Sequence, residues 1–393
     1  MKSADIVIIG GGMVGLAFAA LLKNTESQIK IIEKQVPQTT KTFSNRVSAI
    51  NATSEKMLEQ VGALQLIQTE RLSPYQKMSV WEQDSFAHIE FDNSDPSIRQ
   101  LSLSQLGFII ENNQIQSALW QQVSRQDNVE IILSEPKTVG INENGAFLTF
   151  ANNEMISAKL VVGADGANSW LRQQMHIPLV SKDYEQTALV CNVKTVEPHH
   201  NIARQIFSPK SILAFLPLAD ENLCSIVWSL PPEKAQQLQH CEVQQFNREL
   251  TIAFDNHLGL VELQSERVIY PLTARYARDF AQPRFALIGD AAHTIHPLAG
   301  LGVNLGFADA ITLAQEIKQH LTLGHDIGEY RHLRRFERIR KTEAIKLLAA
   351  MEGLKQLFQG SHPVKKLIRG VGLSATNQLP VLKKLLIAQA VGI

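Results

Sequence analysis

Four short runs, apolar except for Lys30, punctuate the chain: Ile6–Ile9, Ile29–Ile32, Leu160–Val162 and Phe285–Ile288. None alternates with polar residues, which predicts strands buried on both faces, as in a parallel sheet. Each run ends in glycine or an acid. The first leads into Gly10-Gly11-Gly12-Met13-Val14-Gly15 and an apolar helix to about Leu22, the second into Glu33. The third leads into Gly163-Ala164-Asp165-Gly166 and a short helix. The fourth leads into Gly289-Asp290, a Pro- and Gly-rich loop and a helix beginning near Asn304. Thr187–Val193 and Cys224–Trp228 follow a period of two and predict sheet strands, while Asn113–Val123 predicts a helix.

The residues at the strand ends carry chemistry. Gly10, Gly12 and Gly15 occupy the G-x-G-x-x-G positions between a strand and a helix, and Glu33 follows Gly15 by 18 residues. This is the dinucleotide fingerprint. The first two glycines permit the turn and the approach of a pyrophosphate, the third permits helix–strand packing, and the acid is placed to hold a ribose hydroxyl pair. Ile6–Leu22 is also an uncharged run of 17 residues. It is short for a membrane span, and as a signal segment it lacks a basic start beyond Lys2. Asp290 can accept hydrogen bonds from sugar or ribityl hydroxyls. Gly300 and Gly302 let backbone N–H groups approach an aromatic ring, and the following helix N-terminus faces negative charge. That set suits a flavin; the alternative is a tight turn with no ligand. Asp165 and Arg172 are expected to form a structural ion pair. Three strand-end motifs spread over the chain point to one cofactor site assembled from distant parts.

Composition narrows the class further. With 393 residues, 45% of them hydrophobic, the chain can bury a sizeable core, and its formal net charge of +0 gives no field favouring nucleic acid. Cys191, Cys224 and Cys241 have no C-x-x-C spacing and read as buried thiols of a reducing compartment. His293 and His296 flank a Pro-rich loop without a carboxylate partner set, so no metal site is expected. The motif order predicts an α/β architecture in which a discontinuous cofactor region (1–72, 100–176 and 275–330) is interleaved with a sheet-rich substrate region (73–99 and 177–274). Residues 331–393 follow as a helical region.

The three motifs together resemble those of the FAD monooxygenases of the p-hydroxybenzoate hydroxylase type. Leu106–Asn112, Ala214–Leu218, Cys224–Ser229, Gly289–Asp309 and Leu333–Arg338 narrow the resemblance to the ubiquinone-biosynthesis hydroxylases of the UbiH/UbiF/VisC family. Met78–Phe86, Gly166–Arg172, Ala253–Asn256 and Gln389–Gly392 look most like the VisC (UbiI) branch. The resemblance implies a Rossmann-like FAD domain with a β-sheet substrate domain, and FAD reduced by NAD(P)H, which docks transiently. It implies O2 as co-substrate and hydroxylation of a polyprenylated phenol through a flavin C4a-hydroperoxide, most specifically at position 6 of a 2-polyprenylphenol. It places Arg46, Asn112, Asp165, Gly166, Gly289, Asp290, Pro297, Gly300, Gly302, Val303 and Asn304 beside the cofactor, with Gly10, Gly12, Gly15 and Glu33. The alternatives are a surface salt bridge for Arg46 and a plain helix cap for Asn112. Within the loop, Pro297, Leu298, Gly302 and Val303 would exclude water and stabilise the flavin anion. Two positions depart from the family pattern: Leu301 stands where relatives usually carry glutamine, and Pro209-Lys210-Ser211 where they commonly have glycine.

From Gly353 to Ile393 there is no Asp or Glu, but there are Lys355, Lys365, Lys366, Arg369, Lys383 and Lys384 among apolar residues. Such a basic amphipathic tail suits an anionic membrane surface, at roughly 1 kcal/mol per cation near the bilayer. This would place a cytoplasmic enzyme peripherally on the inner membrane face, where a polyprenylated substrate resides, or against other ubiquinone-biosynthesis proteins. The alternative is a helix packed on its own lobe or in a homo-oligomer. Arg331–Arg338 reads as a solvated helix face. Three further readings stay open: hydroxylation at another ring position, a flavin-dependent reductase of the same fold that oxidises NADPH without O2, and a non-catalytic FAD-bound scaffold.

Overall fold

The computed structural model describes residues 2–40, 42–83, 88–93, 105–294 and 302–358, with backbone alone at 351 and 354–358. Pro297, Leu298, Gly300, Leu301 and the basic tail beyond Phe358 therefore lie outside the described residues.

The apolar runs form the centre of a sheet. Lys2–Ile9 pairs in parallel with Ile29–Glu33 on one side and Met155–Gly163 on the other. Phe285–Leu287 joins Met155–Gly163 and Val129–Leu133 joins Ile29–Glu33, both in parallel. Ile6, Val7 and Ile8 are fully buried, as uniform apolar runs require when both faces are covered. Helices Met13–Leu21, Asn112–Val123 and Gly302–Thr322 cover this sheet, their apolar residues merging into one core with Phe285, Phe307 and Phe336. Because the central strands run in one direction, Gly10, Glu33, Ala164 and Ile288 emerge at the same edge, where ligands of open α/β sheets bind.

A second sheet stands apart. Its strand order is His293–Thr294, Val268–Ala277, Leu179–Thr195, Leu223–Leu230, Ile212–Pro217, Ile202–Phe207, Lys77–Glu82 and His88–Asp92. Thr187–Val193 differs from a half-buried strand, since every residue in it is buried. The period of two survives as direction. Leu189, Cys191 and Val193 pack with Phe246 and Leu250 of the helix Val243–Ala253, while Ala188 and Val190 pack with Tyr184, Leu272 and Ala274 on the opposite face. Each face has its own apolar cover, so the alternation shows in side-chain direction rather than in exposure.

The long helix Tyr330–Phe358 is part of the core as well as of the surface. Arg331, Arg334, Arg335 and Arg338 are exposed, as expected, but Leu333 and Phe336 are fully buried against the first sheet. Glu337 accepts the Phe280 N–H at 2.9 Å and the Tyr330 hydroxyl at 2.8 Å. The segment Pro209-Lys210-Ser211 lies at a hairpin tip closed by Ser208 and Ser211, and no residue there has positive φ, so glycine is not required. Among the described residues no helix is long and apolar enough to cross a membrane.

Candidate active site

Gly10 has φ +107°, and a Cβ there would lie 2.5 Å from the Ala164 carbonyl oxygen. A Cβ on Gly15 would run into the Gly10 carbonyl, so these two positions are closed to any side chain. Gly12 differs: it has φ −74° and ψ 175°, and a Cβ would meet nothing within 4 Å. Its backbone faces open space at the N-terminus of Met13–Leu21, where unpaired N–H groups favour an anion. Glu33 lies beside this turn. One carboxylate oxygen accepts the Gly11 N–H at 2.5 Å and the other the Lys34 N–H at 2.7 Å. Gln116 donates to the Gly11 carbonyl at 2.8 Å, fixing the loop from the other side.

Asp165 does not pair with Arg172. The guanidinium donates to the Ala291 and Ala167 carbonyls, both at 2.8 Å, so it joins the Asp165 turn to the Asp290 turn through backbone. Asp165 instead turns Oδ2 to the Leu171 N–H at 3.1 Å, the start of Trp170–Gln174, while Oδ1 is buried without a hydrogen-bond partner. Burial raises its pKa above the ordinary 3.8, with the Ser169 hydroxyl and helix N–H groups opposing. Gly166, at φ +82°, again has open space where a side chain would be.

The fourth strand leads to Gly289, at φ +63°, whose N–H is held by Asp309 Oδ2 at 2.9 Å. Asp290 is exposed at the end of the fourth strand. Desolvation raises its pKa; His293, Arg46 and Arg275 oppose, and Asp309 adds to the rise. His293–Thr294 then adds a strand to the second sheet beside Arg275 and Tyr276. The chain returns at Gly302, where a Cβ would meet nothing, and Val303 packs partly buried on the core. The helix begins at Gly302, two residues before Asn304. Asn304 sits inside its first turn with its side chain fully engaged, donating to the Ala49 carbonyl at 2.7 Å and accepting the Asn51 N–H at 3.1 Å. The segment Gly289–Thr294 thus runs from the first sheet to the second.

Arg46 is exposed and lies 5.6 Å from the Tyr270 ring, without an ion pair among the described residues. It is carried by a segment fastened from below: Glu111 accepts the Ser44 N–H at 2.5 Å and pairs with Arg71 at 2.9 Å. Asn112 is not a cap; it is the first residue of its helix and accepts the Ser48 hydroxyl at 2.7 Å.

Sequence reasoning missed Asp309, Arg340 and the structural part of His293. Asp309 has no exposure; His293 Nε2 and Arg340 Nε each lie 2.6 Å from it. Burial would raise the Asp309 pKa, but the His293 ring and the Arg340 guanidinium outweigh it and the net direction is down. Cys191 and Cys224 are buried, which pushes their thiols up to about 12, so neither is a nucleophile at neutral pH.

The open positions at Gly12, Gly166 and Gly302, with the unpartnered Asp165 oxygen, fit an extended ligand carrying a pyrophosphate, hydroxyl groups and a flat ring. Residues 3–344 match the FAD binding domain family. A 3-demethoxyubiquinol 3-hydroxylase of Escherichia coli is 34% identical, the alignment covering 100% of this chain and 99% of that protein. The mitochondrial ubiquinone biosynthesis monooxygenase COQ6 of Danio rerio is 33% identical, covering 98% and 89%. The chain belongs to the FAD-dependent ubiquinone-biosynthesis hydroxylases. Solved structures agree on the fold. The p-nitrophenol 4-monooxygenase PnpA of Pseudomonas putida superposes with TM-score 0.80 at 18% identity, covering 100% of this chain and 99% of that one. A probable FAD-dependent monooxygenase of Pseudomonas aeruginosa, pqsL, gives 0.79 at 18%, covering 95% and 100%. The chain is therefore an FAD-dependent monooxygenase of ubiquinone synthesis with the p-hydroxybenzoate hydroxylase-like fold.

Proposed function

We propose that this hydroxylase acts on a 2-polyprenylphenol at ring position 6, with NAD(P)H as transient reductant and O2 as co-substrate. The observation that carries the reading is the segment Gly289–Thr294, which leaves the first sheet at Gly289 and adds His293–Thr294 to the second. A ring bound beside that segment would lie near a sheet with an apolar face, where Val227 packs with Leu216, Ala214 and Ala203 on one flank and with Val190 and Leu272 on the other. Such a lining suits a prenylated phenol better than a charged substrate.

FAD supplies oxygen activation when bound. The protein would hold it through the residues named above. Gly10 and Gly12 would shape the turn that receives the pyrophosphate, Gly15 would let the helix pack close against it, and Glu33 would hold the ribose. Asp165, Gly166, Gly289 and Asp290 would receive the hydroxyl chain, Arg46 and Asn112 would lie alongside it, and the first N–H groups of the helix Gly302–Thr322 would be offered to the ring. Their role there is to stabilise negative charge.

Support for position 6 comes from two segments that look like the VisC branch and pack together although far apart in sequence. Trp81 donates to Asp255 at 3.1 Å, and its ring lies 5.4 Å from Phe254. A second reading, hydroxylation at another ring position, is favoured by the printed activity of the E. coli relative. The basic tail is proposed to hold the enzyme at an anionic membrane surface. A quinone-lipid profile of cells lacking this gene tests the reading. Accumulation of a 2-polyprenylphenol without the position-6 oxygen supports it, accumulation of a later precursor moves the step to another position, and an unchanged profile in a strain with no second hydroxylase rejects it.

A further inference from the structure

The turn between the helices Gly302–Thr322 and Tyr330–Phe358 brings together His320, His325 and His332, separated by 5 and 7 residues in sequence. Their ligand nitrogens all lie within 4.8 Å of one another. Two atoms are closer: His320 Nδ1 and His325 Nδ1 are 3.1 Å apart. Two imidazoles on one tetrahedral zinc, with bonds of about 2.0–2.1 Å, place their nitrogens roughly 3.3 Å apart. His332 has a fixed tautomer. Its Nδ1 lies 2.8 Å from the Asp326 carbonyl oxygen, which can only accept, so the proton sits on Nδ1 and Nε2 keeps its lone pair. A backbone carbonyl behind a histidine ligand is the usual orienting contact of metal sites. The Asp326 carboxylate does not compete, being held by Arg284 at 2.6 Å and by the Gly328 N–H at 3.0 Å. The cluster also lies at the C-terminal end of Gly302–Thr322, where the helix dipole favours a cation.

We propose that His320, His325 and His332 form a binding site for a divalent metal ion of the zinc class, with water completing the coordination. The ion would clip the turn 323–329 and hold the two helices at their junction. The site shares no residue with the cofactor cleft. Its spacing matches no common ligand motif, which is why a sequence reading without a metal site passes over it.

The test is a Zn2+ titration of the untagged, FAD-loaded protein against a chromophoric chelator, with bound zinc measured after gel filtration. The expected result is one Zn2+ per chain and a rise in Tm. His325→Ala, at an exposed position, and His320→Ala should each weaken binding at least tenfold and abolish the Tm rise, with the flavin spectrum unchanged. Zinc held equally by wild type and both variants, or no stoichiometric zinc in the wild type, would overturn the proposal.

Discussion

The carboxylate of Asp309 and the imidazole of His293 meet at 2.6 Å in the interior, with 0% and 2% of their surfaces exposed. The same carboxylate oxygen accepts the Gly289 N–H at 2.9 Å, and the other oxygen takes Arg340 at 2.6 Å. One buried acid thus fixes the start of the loop at Gly289, its crossing to the second sheet at His293, and the long helix that carries Arg340.

Removing that acid should destabilise the fold and loosen the cofactor together. Asp309→Ala leaves the buried Arg340 and His293 without their partner, a loss of about 3–5 kcal/mol for a broken buried pair. Urea unfolding of the apoprotein measures the first effect and FAD titration the second. An Asp309→Ala protein with wild-type midpoint and wild-type FAD affinity would show that the cluster is incidental.

Two glycines of the same turn should behave differently. Gly12→Val adds a side chain into open space at an ordinary φ, so the apoprotein should keep its Tm within a few degrees while FAD affinity falls by at least tenfold. Gly15→Val drives atoms into the Gly10 carbonyl, so soluble folded protein should be lost. Circular dichroism and flavin content of the two variants separate the effects. Equal FAD binding by Gly12→Val and wild type would mean that the open space is not the pyrophosphate site.

Asp290 should matter for affinity rather than stability. It is exposed, and no hydrogen bond to another side chain constrains it among the described residues. A charge-assisted hydrogen bond is worth about 1.5–3 kcal/mol, so Asp290→Ala should raise the FAD Kd by roughly 10- to 150-fold. Fluorescence quenching of FAD during apoprotein titration reads this directly. A twofold change or less would remove Asp290 from the site.

The second sheet contains a pH-sensitive anchor in His199. Its buried ring reaches the Leu218 carbonyl at 2.9 Å through Nε2 and accepts the Asn201 N–H at 3.0 Å on Nδ1, the pattern of a neutral imidazole. Burial, with Arg204 nearby, holds its pKa below the usual 6.5 against the pull of the Asp220 and Leu218 carbonyls. A histidine whose folded pKa is depressed contributes its full stability above pH 6.5, and loses it as pH falls through the folded value. Unfolding free energy should therefore drop below pH 6.5 more steeply in wild type than in His199→Gln, which starts from a lower plateau. Parallel slopes for the two proteins would contradict this assignment.

The parts legible in the sequence are those where chemistry and local geometry coincide. Gly10, Gly12, Gly15, Glu33, Asp165 and Asp290 stand at ends of apolar runs, and backbone rules for glycine and strand ends place them at one edge. Arg172 was legible as important but not in its bonding, because its acceptors are carbonyls of Ala167 and Ala291, and a carbonyl carries no sequence signal. Asp309 looks like any acid on a helix; only the packing of three distant segments makes it central. The histidine cluster fails the same way, since His320 and His332 on two helices meet His325 in the turn between them, a geometry that no spacing rule encodes. Thr187–Val193 shows the converse: its alternation gave the strand, while cover on both faces came from helices specified elsewhere.

The most direct test is turnover of the FAD-loaded protein with NADPH, a 2-polyprenylphenol in detergent or vesicles, and 18O2, read by mass spectrometry. The account predicts a product heavier by one 18O atom, hydroxylated at ring position 6, with NADPH oxidation stimulated by the phenol. NADPH consumed only to hydrogen peroxide, or bound FAD without phenol-stimulated oxidation, would contradict it.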